Sequence, residues 1–349
     1  MKKEKTKKRK GFKIVGITFA VILLIYLVIL LFPRGDNFKG DNPMMKDGEL
    51  PILIAHGGGN KEFPDNTLEA FYNAYSVSKD VMMETDVSIT KDGVVILSHD
   101  TTIDRKTNAT GKISDWNYTD LIAQEIDFGY TNPTNDNEEL CGERVHFVGA
   151  DGKEKYPTDV EYPDGVSPRH ETVFLATSLE ELLVAFPENR INVEIKQDGE
   201  LGVKCFEAVL DLLEKYDAYG RVVLASFHDE LYETFLEYIK EDKVPDNFMC
   251  SPGTKGVTKY VILKLTGTDV FFNDKMCVFQ LPTEEKAAGI TFDLSTKAII
   301  KNAHKHNLAV HYWTINDPDE MRELIEMGAD GIMTDYPHLL KEVYDEYSK

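Results

Sequence analysis

The chain has 349 residues, enough for one large domain or two small ones, and its 42% hydrophobic and 28% charged residues are typical of globular rather than disordered or fibrous proteins. The formal net charge is −21, but residues 1–13 hold eight Lys and Arg against one Glu, so the rest of the chain carries −28. A body this acidic repels a phosphate backbone at long range, which excludes nucleic acid as an expected partner and is compatible with bound divalent cations.

The N-terminal region is predicted to be a membrane anchor. Behind the basic stub of residues 1–13, residues 14–32 form a run of 19 residues without a charged side chain. A helix of this length spans roughly 28 Å, about the thickness of a bilayer core. The run lacks the polar stripe of a buried core helix. It also lacks the short apolar region and small-residue cleavage site of a signal peptide, so an uncleaved transmembrane helix is favoured.

The basic stub also predicts how the chain is oriented. Lys and Arg beside a spanning helix stay on the cytoplasmic side of the membrane. We therefore expect a single-pass protein of the cell membrane, with a linker at residues 33–50 and the remaining domain, residues 51–349, outside the cell.

Short apolar runs alternate with amphipathic stretches over residues 51–349. Strand-like runs begin at residues 52, 81, 94, 191, 221, 248, 277, 308 and 331, and helical patterns lie between many of them. This alternation predicts parallel βαβ units, and eight or nine such strands predict an irregular TIM (β/α)₈ barrel. Thr90-Lys91-Asp92-Gly93 is typical of a hairpin turn, which a regular barrel would lack at that point.

Residues 127–171 break this rhythm. They are rich in Gly, Pro, Asn and acidic residues and show little periodicity. Segments of this length are usually functional lids or small inserted subdomains, although a disordered decoration is an alternative.

The four cysteines show no C-x-x-C spacing, so a zinc site is not expected. Cys205 lies in an amphipathic helical pattern and is predicted to be a buried free thiol. A disulfide between Cys250 and Cys277 would be permitted outside the cell, but nothing in the sequence requires it.

Carboxylates occur at i and i+2 spacing in one predicted strand. Glu84 and Asp86 therefore point to the same face, and Glu194 and Lys196 repeat this spacing in another strand. Neighbouring buried carboxylates repel each other unless a cation joins them, so the three carboxylates predict an oxygen cage for Ca²⁺ or Mg²⁺. The alternative is a structural ion pair between Glu194 and Lys196.

Two histidines follow predicted strands, where a βα barrel places its active site. His56 follows the first apolar run and opens a glycine loop, and His99 follows the third run. Either could be structural. Together with a metal cage, however, two imidazoles supply the acid and the base that phosphodiester hydrolysis needs.

These residues lie within a set of motifs that resembles the glycerophosphodiester phosphodiesterase family. The motifs cover roughly residues 50–345 in the family's order: AHGGG, FPDNTLEAF, METDVSITKDGVVILSHD, NVEIK, HYWTIND and GADGIMTDYP. The resemblance implies an irregular TIM barrel. It also implies divalent-metal-dependent hydrolysis of glycerophosphodiesters to glycerol phosphate and an alcohol.

The resemblance implies roles for seven side chains. The acid and base would be His56 and His99, the metal ligands Glu84, Asp86 and Glu194, the phosphate contact Lys196, and part of the pocket wall Trp313.

Other positions match the family's motifs less decisively. Asn66 and Thr67 match an Asn-Thr pair, in which Thr67 is expected to cap the next helix, and Asp335 is either structural or part of the site. Relatives usually have Arg after the first His, where this chain has Gly57, and Glu where it has Asp65. A bidentate phosphate contact is therefore missing or supplied elsewhere.

Two alternatives to this hydrolase stay open. One is a catalytically weakened barrel that binds phosphoglycerol polymers or lipid headgroups, which the loss of Arg at Gly57 favours slightly. The other is a phospholipase-like activity on intact lipid, for which the predicted anchor is the only support.

Overall fold

The computed structural model of the protein describes residues 2–123, 125–137, 139–287 and 289–347. Its strands are β1 (Ile52–His56), β2 (Met82–Ile89), β3 (Val95–Leu97), β4 (Ile191–Ile195), β5 (Val222–Ala225), β6 (Met249–Cys250), β7 (Val278–Leu281), β8 (Glu284–Ala287), β9 (Ile290–Asp293), β10 (Ala309–Tyr312) and β11 (Gly331–Thr334). Its α-helices are α1 (Lys2–Leu31), α2 (Leu68–Val77), α3 (Tyr118–Leu121), α4 (Leu179–Ala185), α5 (Gly199–Lys215), α6 (Asp229–Lys240), α7 (Thr254–Leu265), α8 (Lys297–His304), α9 (Pro318–Met327) and α10 (Pro337–Tyr347).

Eight of the strands form one parallel sheet in the order β6-β5-β4-β2-β1-β11-β10-β7. The two outer strands of this order also meet, because the Cys277 N–H donates to the Cys250 carbonyl with an N···O distance of 3.1 Å. This bond closes the sheet, and the predicted irregular TIM barrel is confirmed.

The apolar runs of the sequence become strands that are covered on both faces. In β1, Leu53 and Ala55 belong to the core between the strands and the outer helices, whereas Ile52 and Ile54 belong to the core inside the barrel. Because both faces of each strand are buried, the strands appear in the sequence as continuous apolar runs and not as an alternation of apolar and polar residues.

Residues 33–50, predicted as a linker, pack against the N-terminal ends of the strands. Met44 is fully buried and belongs, with Phe38, to the core inside the barrel. Asn42 Nδ2 donates to the Cys277 carbonyl at 2.7 Å, and the His311 ring donates to the Met44 carbonyl at 2.8 Å. This segment therefore covers the end of the barrel opposite the carboxyl ends of the strands.

A single helix, α1, runs through the predicted basic stub and the apolar segment that follows it. Met1 and the side chains of residues 2–14 lie outside what the structure describes. Within the described part of the chain, no helix is both long enough and apolar enough to cross a membrane.

The chain departs from a regular barrel after β2. As predicted, β3 folds back antiparallel onto β2, with Val87 opposite Leu97, and Thr90 to Gly93 form the turn. Between β3 and α4 the described residues contain only α3, short 3₁₀ turns and isolated antiparallel bridges.

This long connection, which includes the segment 127–171, has a core of its own. Phe128 and Phe174 pack with Phe63 and Ile103 in a separate buried cluster. The described part of the segment is therefore packed onto the barrel, which disfavours the alternative of a disordered decoration.

Two helices of more than ten residues and one hairpin escaped the sequence analysis. The apolar residues of α7 occupy several faces of the helix, and α10 follows the last motif directly. In the hairpin, β8 consists of Glu, Lys and Ala, which are poor strand formers. The hairpin pairs only with itself and stands outside the barrel sheet.

All four cysteines are free. Cys205 is fully buried, as predicted. Cys250 and Cys277 are neighbours, but the thiol of Cys277 contacts the Cys250 carbonyl at 3.6 Å rather than its sulfur.

Candidate active site

Three carboxylates converge at the carboxyl ends of β2 and β4. Asp86 lies directly opposite Glu194 in the parallel register, and Glu84 lies two residues before Asp86 on the same face. One ligand oxygen from each of the three lies within 4.8 Å of the others. The structure therefore brings together the three residues that the sequence analysis named as metal ligands.

These carboxylates repel one another in a buried site. Burial raises the pKa of Glu84, and the negative charge of Asp86 raises it further. Burial also raises the pKa of Glu194, although the neighbouring Lys196 opposes this. A cluster of this kind requires positive charge nearby.

Lys196 supplies part of that charge. Its Nζ lies 3.0 Å from Asp86 Oδ1 and 2.8 Å from Glu194 Oε1. Burial lowers the pKa of Lys196, but the two carboxylates outweigh burial and raise it. The ion pair considered from the sequence is therefore present, within the same cluster that could hold a metal.

The donor set also fits a hard divalent cation, which prefers carboxylate oxygens. Hydrogen bonds from outside the cluster orient two of the carboxylates. The Gly57 N–H donates to Glu84 Oε2 at 2.9 Å, and Asn66 Nδ2 donates to Asp86 Oδ2 at 3.1 Å. Glu84, Asp86 and Glu194 are thus oriented toward one position, and together they could bind a metal ion.

Both histidines are backed by a carboxylate. His56 Nδ1 lies 2.6 Å from Asp335 Oδ1, and His99 Nδ1 lies 2.8 Å from Asp100 Oδ1. Each Nδ1–H therefore donates to a carboxylate, which leaves Nε2 as the nitrogen available for chemistry. Asp335 is itself fixed by Asn316 Nδ2 at 2.8 Å.

The same carboxylates set the proton affinity of the imidazoles. Burial lowers the pKa of His56, but the hydrogen bond to Asp335 and the charge of Glu84 outweigh burial and raise it to about 9. The hydrogen bond to Asp100 raises the pKa of His99. Each carboxylate thus raises the proton affinity of the imidazole that it contacts.

A cavity of about 190 Å³, here called the mouth cavity, occupies the carboxyl ends of the strands. Its wall includes Trp313, whose ring packs edge-on against Phe227 with 5.7 Å between centroids. It is lined by all seven residues predicted from the sequence: His56, Glu84, Asp86, His99, Glu194, Lys196 and Trp313. A larger cavity, of about 710 Å³, lies at the other end of the barrel and contains none of these residues.

The Asn-Thr pair has a positioning role. Thr67 caps α2, as predicted, because its Oγ1 accepts from the Ala70 N–H at 3.2 Å. Asn66 joins this helix start to β2, since its Oδ1 accepts from Thr85 Oγ1 at 2.7 Å and from the Asp86 N–H at 3.1 Å.

Gly57 has no room for a side chain. Its φ is +56°, and a Cβ there would lie 2.8 Å from the Asp65 Cβ. Asp65 instead contacts Lys106 Nζ, and burial, which raises the pKa of Asp65, is outweighed by Lys106 and Arg105, which lower it. The cations that contact Asp65 therefore come from the loop after His99 and not from the residue after His56.

Four functional candidates escaped the sequence analysis or stayed undecided. They are Asp100, Arg105 and Lys106, which were not singled out, and Asp335, which was left between a structural and a functional role. Asp100 adjoins His99 in the sequence, which was an available signal. The contact of Asp335 with His56 spans 279 residues and has no local signal.

Comparisons with known proteins agree with this geometry. Residues 56–339 match the model of the glycerophosphoryl diester phosphodiesterase family. The probable glycerophosphodiester phosphodiesterase 2 of Mycobacterium tuberculosis is 25% identical over 86% of this chain and 96% of its own. Lysophospholipase D GDPD1 of Rattus norvegicus is 27% identical over 84% of this chain and 86% of its own.

Solved structures share the fold. The glycerophosphoryl diester phosphodiesterase domain of a Mycobacterium tuberculosis protein superposes with a TM-score of 0.61 at 16% identity, over 84% of this chain and 98% of that one. An Oleispira antarctica phosphodiesterase, solved with the product sn-glycerol-3-phosphate, gives a TM-score of 0.55 at 17% identity, over 85% of this chain and 97% of that one. With the family model matching most of the barrel, the chain belongs to the glycerophosphoryl diester phosphodiesterase family of hydrolases.

Proposed function

We propose that the chain hydrolyses glycerophosphodiesters to glycerol phosphate and an alcohol in a reaction that depends on Ca²⁺ or Mg²⁺. The observation that carries this proposal is the convergence of three carboxylates, within 4.8 Å of one another, beside two carboxylate-backed imidazoles. The fold shared with an Oleispira antarctica phosphodiesterase solved with its product sn-glycerol-3-phosphate supports it.

Glu84, Asp86 and Glu194 would hold the cation, which when bound neutralises negative charge on the phosphate. Lys196, at the edge of the same cluster, would add a second positive charge beside the phosphate. Trp313 would form the wall against which the glycerol part is positioned.

One histidine would remove the proton from the nucleophile, which is either water or a glycerol hydroxyl that forms a cyclic phosphate. The other would protonate the departing alcohol. Asp335 and Asp100 hold the Nδ1 atoms, so both proton transfers would occur at the Nε2 atoms of His56 and His99.

This function is tested by incubating the full chain with a panel of glycerophosphodiesters that differ in the alcohol, with and without a chelator. We expect release of glycerol phosphate, its loss with chelator, and its return with Ca²⁺ or Mg²⁺. Binding of these compounds without turnover would instead support the catalytically weakened barrel.

We also propose that residues 14–32 anchor the protein in the cell membrane with the barrel outside the cell. The uncharged sequence behind a basic stub supports this, as do the apolar side chains that α1 leaves exposed, such as Leu31 at 84%.

A phospholipase-like activity is the second candidate function. The similarity to a rat protein named lysophospholipase D, at 27% identity, favours it. Parallel assays with a lysophospholipid and with the matching deacylated glycerophosphodiester distinguish the two activities. Only hydrolysis of the lysophospholipid requires an acyl chain to fit beside the site.

A further inference from the structure

A second cavity, here called the side cavity, adjoins the mouth cavity. Its volume is about 520 Å³, and His56, Asp86 and His99 line both cavities. The mouth cavity, at about 190 Å³, is smaller than usual small-molecule sites, which measure roughly 300–1,000 Å³. A phosphodiester that reacts where the two cavities meet therefore has one arm in each.

The two cavities differ in chemistry. Uncharged polar side chains, among them Asn192, Ser226 and Gln280, line the mouth cavity beside the carboxylates and suit glycerol hydroxyl groups. The side cavity is lined by three cationic side chains, Lys61, Arg105 and Lys106. The arm in the side cavity is then the leaving alcohol.

Most of the charge in the side cavity is paired, but one cation is not. Lys106 contacts Asp65, and Arg105 donates two hydrogen bonds to Asp100, at 2.6 and 3.0 Å. Lys61 is exposed and forms no ion pair with any residue in the described ranges. In a chain with a net charge of −21, this cavity thus offers an uncompensated positive charge.

The inserted segment forms one wall of the side cavity and is hydrogen-bonded to the backbone of Lys61. The inserted segment contributes Val145, Phe147 and Val148, and the Ala150 N–H donates to the Lys61 carbonyl at 2.7 Å. The ring of Phe147 already faces Lys106 Nζ, 5.8 Å from the ring centroid, so a cationic headgroup would meet a lysine at that face.

We infer that the side cavity binds the leaving alcohol and selects one that carries a second anionic group, such as a phosphate, which pairs with Lys61. This inference rests on the proposed phosphodiesterase function and specifies its substrate class. The second anion can be a terminal phosphate or the next phosphodiester of a phosphoglycerol chain, since both present the same oxygen acceptors.

The test compares kcat/KM of the full chain, loaded with Ca²⁺ or Mg²⁺, on four substrates. They are glycerophosphoglycerol, its terminal phosphate monoester, a short phosphoglycerol oligomer, and glycerophosphocholine. We expect kcat/KM to be about two- to fivefold higher for at least one of the two substrates that carry a second anion than for glycerophosphoglycerol, and lowest for the choline ester. The comparison of the monoester with the oligomer identifies the source of the anion, and the preference should weaken as salt is added.

Lys61→Gln should reduce the preference for the anionic substrate by about two- to fivefold, since an exposed charge pair is worth at most about 1 kcal/mol. Lys61→Arg should retain the preference. Lys91→Gln is the matched control, because Lys91 is an exposed lysine on the β2–β3 turn, outside both cavities, and it should leave the preference unchanged.

Turnover without a preference for the anionic substrates would overturn this inference alone, as would a preference that Lys61→Gln changes no more than Lys91→Gln does. If no member of the panel is hydrolysed, the proposed function fails and the inference fails with it.

Discussion

His56 and His99 each contact a carboxylate of their own, Asp335 and Asp100, but the two side chains differ in exposure. The side chain of His56 is 25% exposed and that of His99 is 47% exposed. His56 also lies 3.9 Å from Glu84, whereas His99 stands next to Asp100 in the sequence. The two imidazoles therefore approach the reacting phosphate from different surroundings, which suits them to different proton transfers.

If they are acid and base, His56→Ala and His99→Ala should each lower kcat by about 10²–10⁴-fold. The double variant should lose much less than the product of the two single losses, because the residues act in one reaction path. His304→Ala is the matched control, since His304 also contacts a carboxylate, Asp330 at 2.8 Å, but lies outside both cavities.

The two roles can be separated with p-nitrophenyl phosphodiesters, whose leaving group needs no proton. The variant that lacks the acid should regain much of its rate on these substrates, and the variant that lacks the base should not. Rescue of neither variant, with metal binding intact, would show that the acid and base are assigned wrongly.

Lys196 and a metal ion could compete for the same carboxylates. Glu84→Gln should raise the concentration of Ca²⁺ or Mg²⁺ needed for half-maximal activity, because it removes one charged ligand and preserves the shape. Glu171→Gln, at an exposed carboxylate elsewhere, should not change that concentration. Full activity of the parent protein in the presence of chelator would contradict the proposed metal site. The carboxylates would then serve only as ion-pair partners of Lys196.

At the scale of elements, a buried ion pair fastens the end of α1 to the barrel. Arg34 Nε and Nη2 donate to Asp269 at 2.8 and 2.7 Å, and the side chain of Asp269 is 3% exposed. Asn302 Nδ2 donates to the same carboxylate at 2.9 Å, and His306 Nε2 lies 3.2 Å from it. The connection between α1 and the linker is thus held by the segment that follows α7.

Asp269→Asn should lower the free energy of unfolding at pH 7 by about 3–5 kcal/mol, because it leaves the Arg34 charge poorly compensated. Asp246→Asn is the control, since the pair of Asp246 with Lys39 is exposed and should contribute little. Denaturant titration of the full chain in detergent measures both.

The contribution of Asp269 should depend on pH. Burial raises the pKa of Asp269, but the hydrogen bonds from Arg34 and Asn302 outweigh burial and lower it below its ordinary 3.8. A carboxylate with a lowered pKa stabilises the fold above its ordinary pKa, and this stabilisation disappears as the pH falls toward the lowered value. The stability gap between parent and Asp269→Asn should therefore be constant from about pH 5 to 8 and shrink below about pH 4; a gap that widens in acid would contradict this.

At the scale of the whole molecule, residues 33–50 and the mouth cavity lie at opposite ends of the barrel. Residues 33–50 pack at the N-terminal ends of the strands, where Asn42 donates to the Cys277 carbonyl. Arg34 joins the same segment to Asp269, in the turn between α7 and β7. The mouth cavity lies at the carboxyl ends. If α1 anchors the chain, the active site opens away from the membrane that holds it.

The proposed anchoring predicts how the protein behaves on intact cells. Protease added to intact cells should remove the barrel, whereas complete protection would show that the proposed orientation is wrong. A mature N-terminus near residue 35, read by sequencing, would show that the segment is cleaved.

It also predicts a preference when the anchored protein is reconstituted in vesicles. Soluble glycerophosphodiesters should be hydrolysed much faster than a lysophospholipid embedded in the same bilayer, because the site faces the aqueous phase. Equal rates would favour the phospholipase-like alternative. Detergent-solubilised protein with the same lysophospholipid in micelles serves as the control, since there the membrane no longer restricts access.

Local patterns in the sequence determined the barrel strands and the common orientation of two carboxylates that could bind a metal. Continuous apolar runs identify strands that are buried on both faces, and the i, i+2 spacing of Glu84 and Asp86 places both carboxylates on one side whatever the rest of the fold does. Thr67 could be identified as a helix cap for the same reason, because a cap acts within three residues of itself.

Only the tertiary structure decided which groups surround those residues. Asp335 reaches His56 across 279 residues, and Lys106 reaches Asp65 across 41, so no local period links the partners. The closure of the sheet at Cys250 and Cys277, and the packing of the inserted segment over the side cavity, likewise depend on where distant segments meet. Periodicity reports which face of an element is buried, whereas the identity of the neighbour on that face is set by the path of the whole chain.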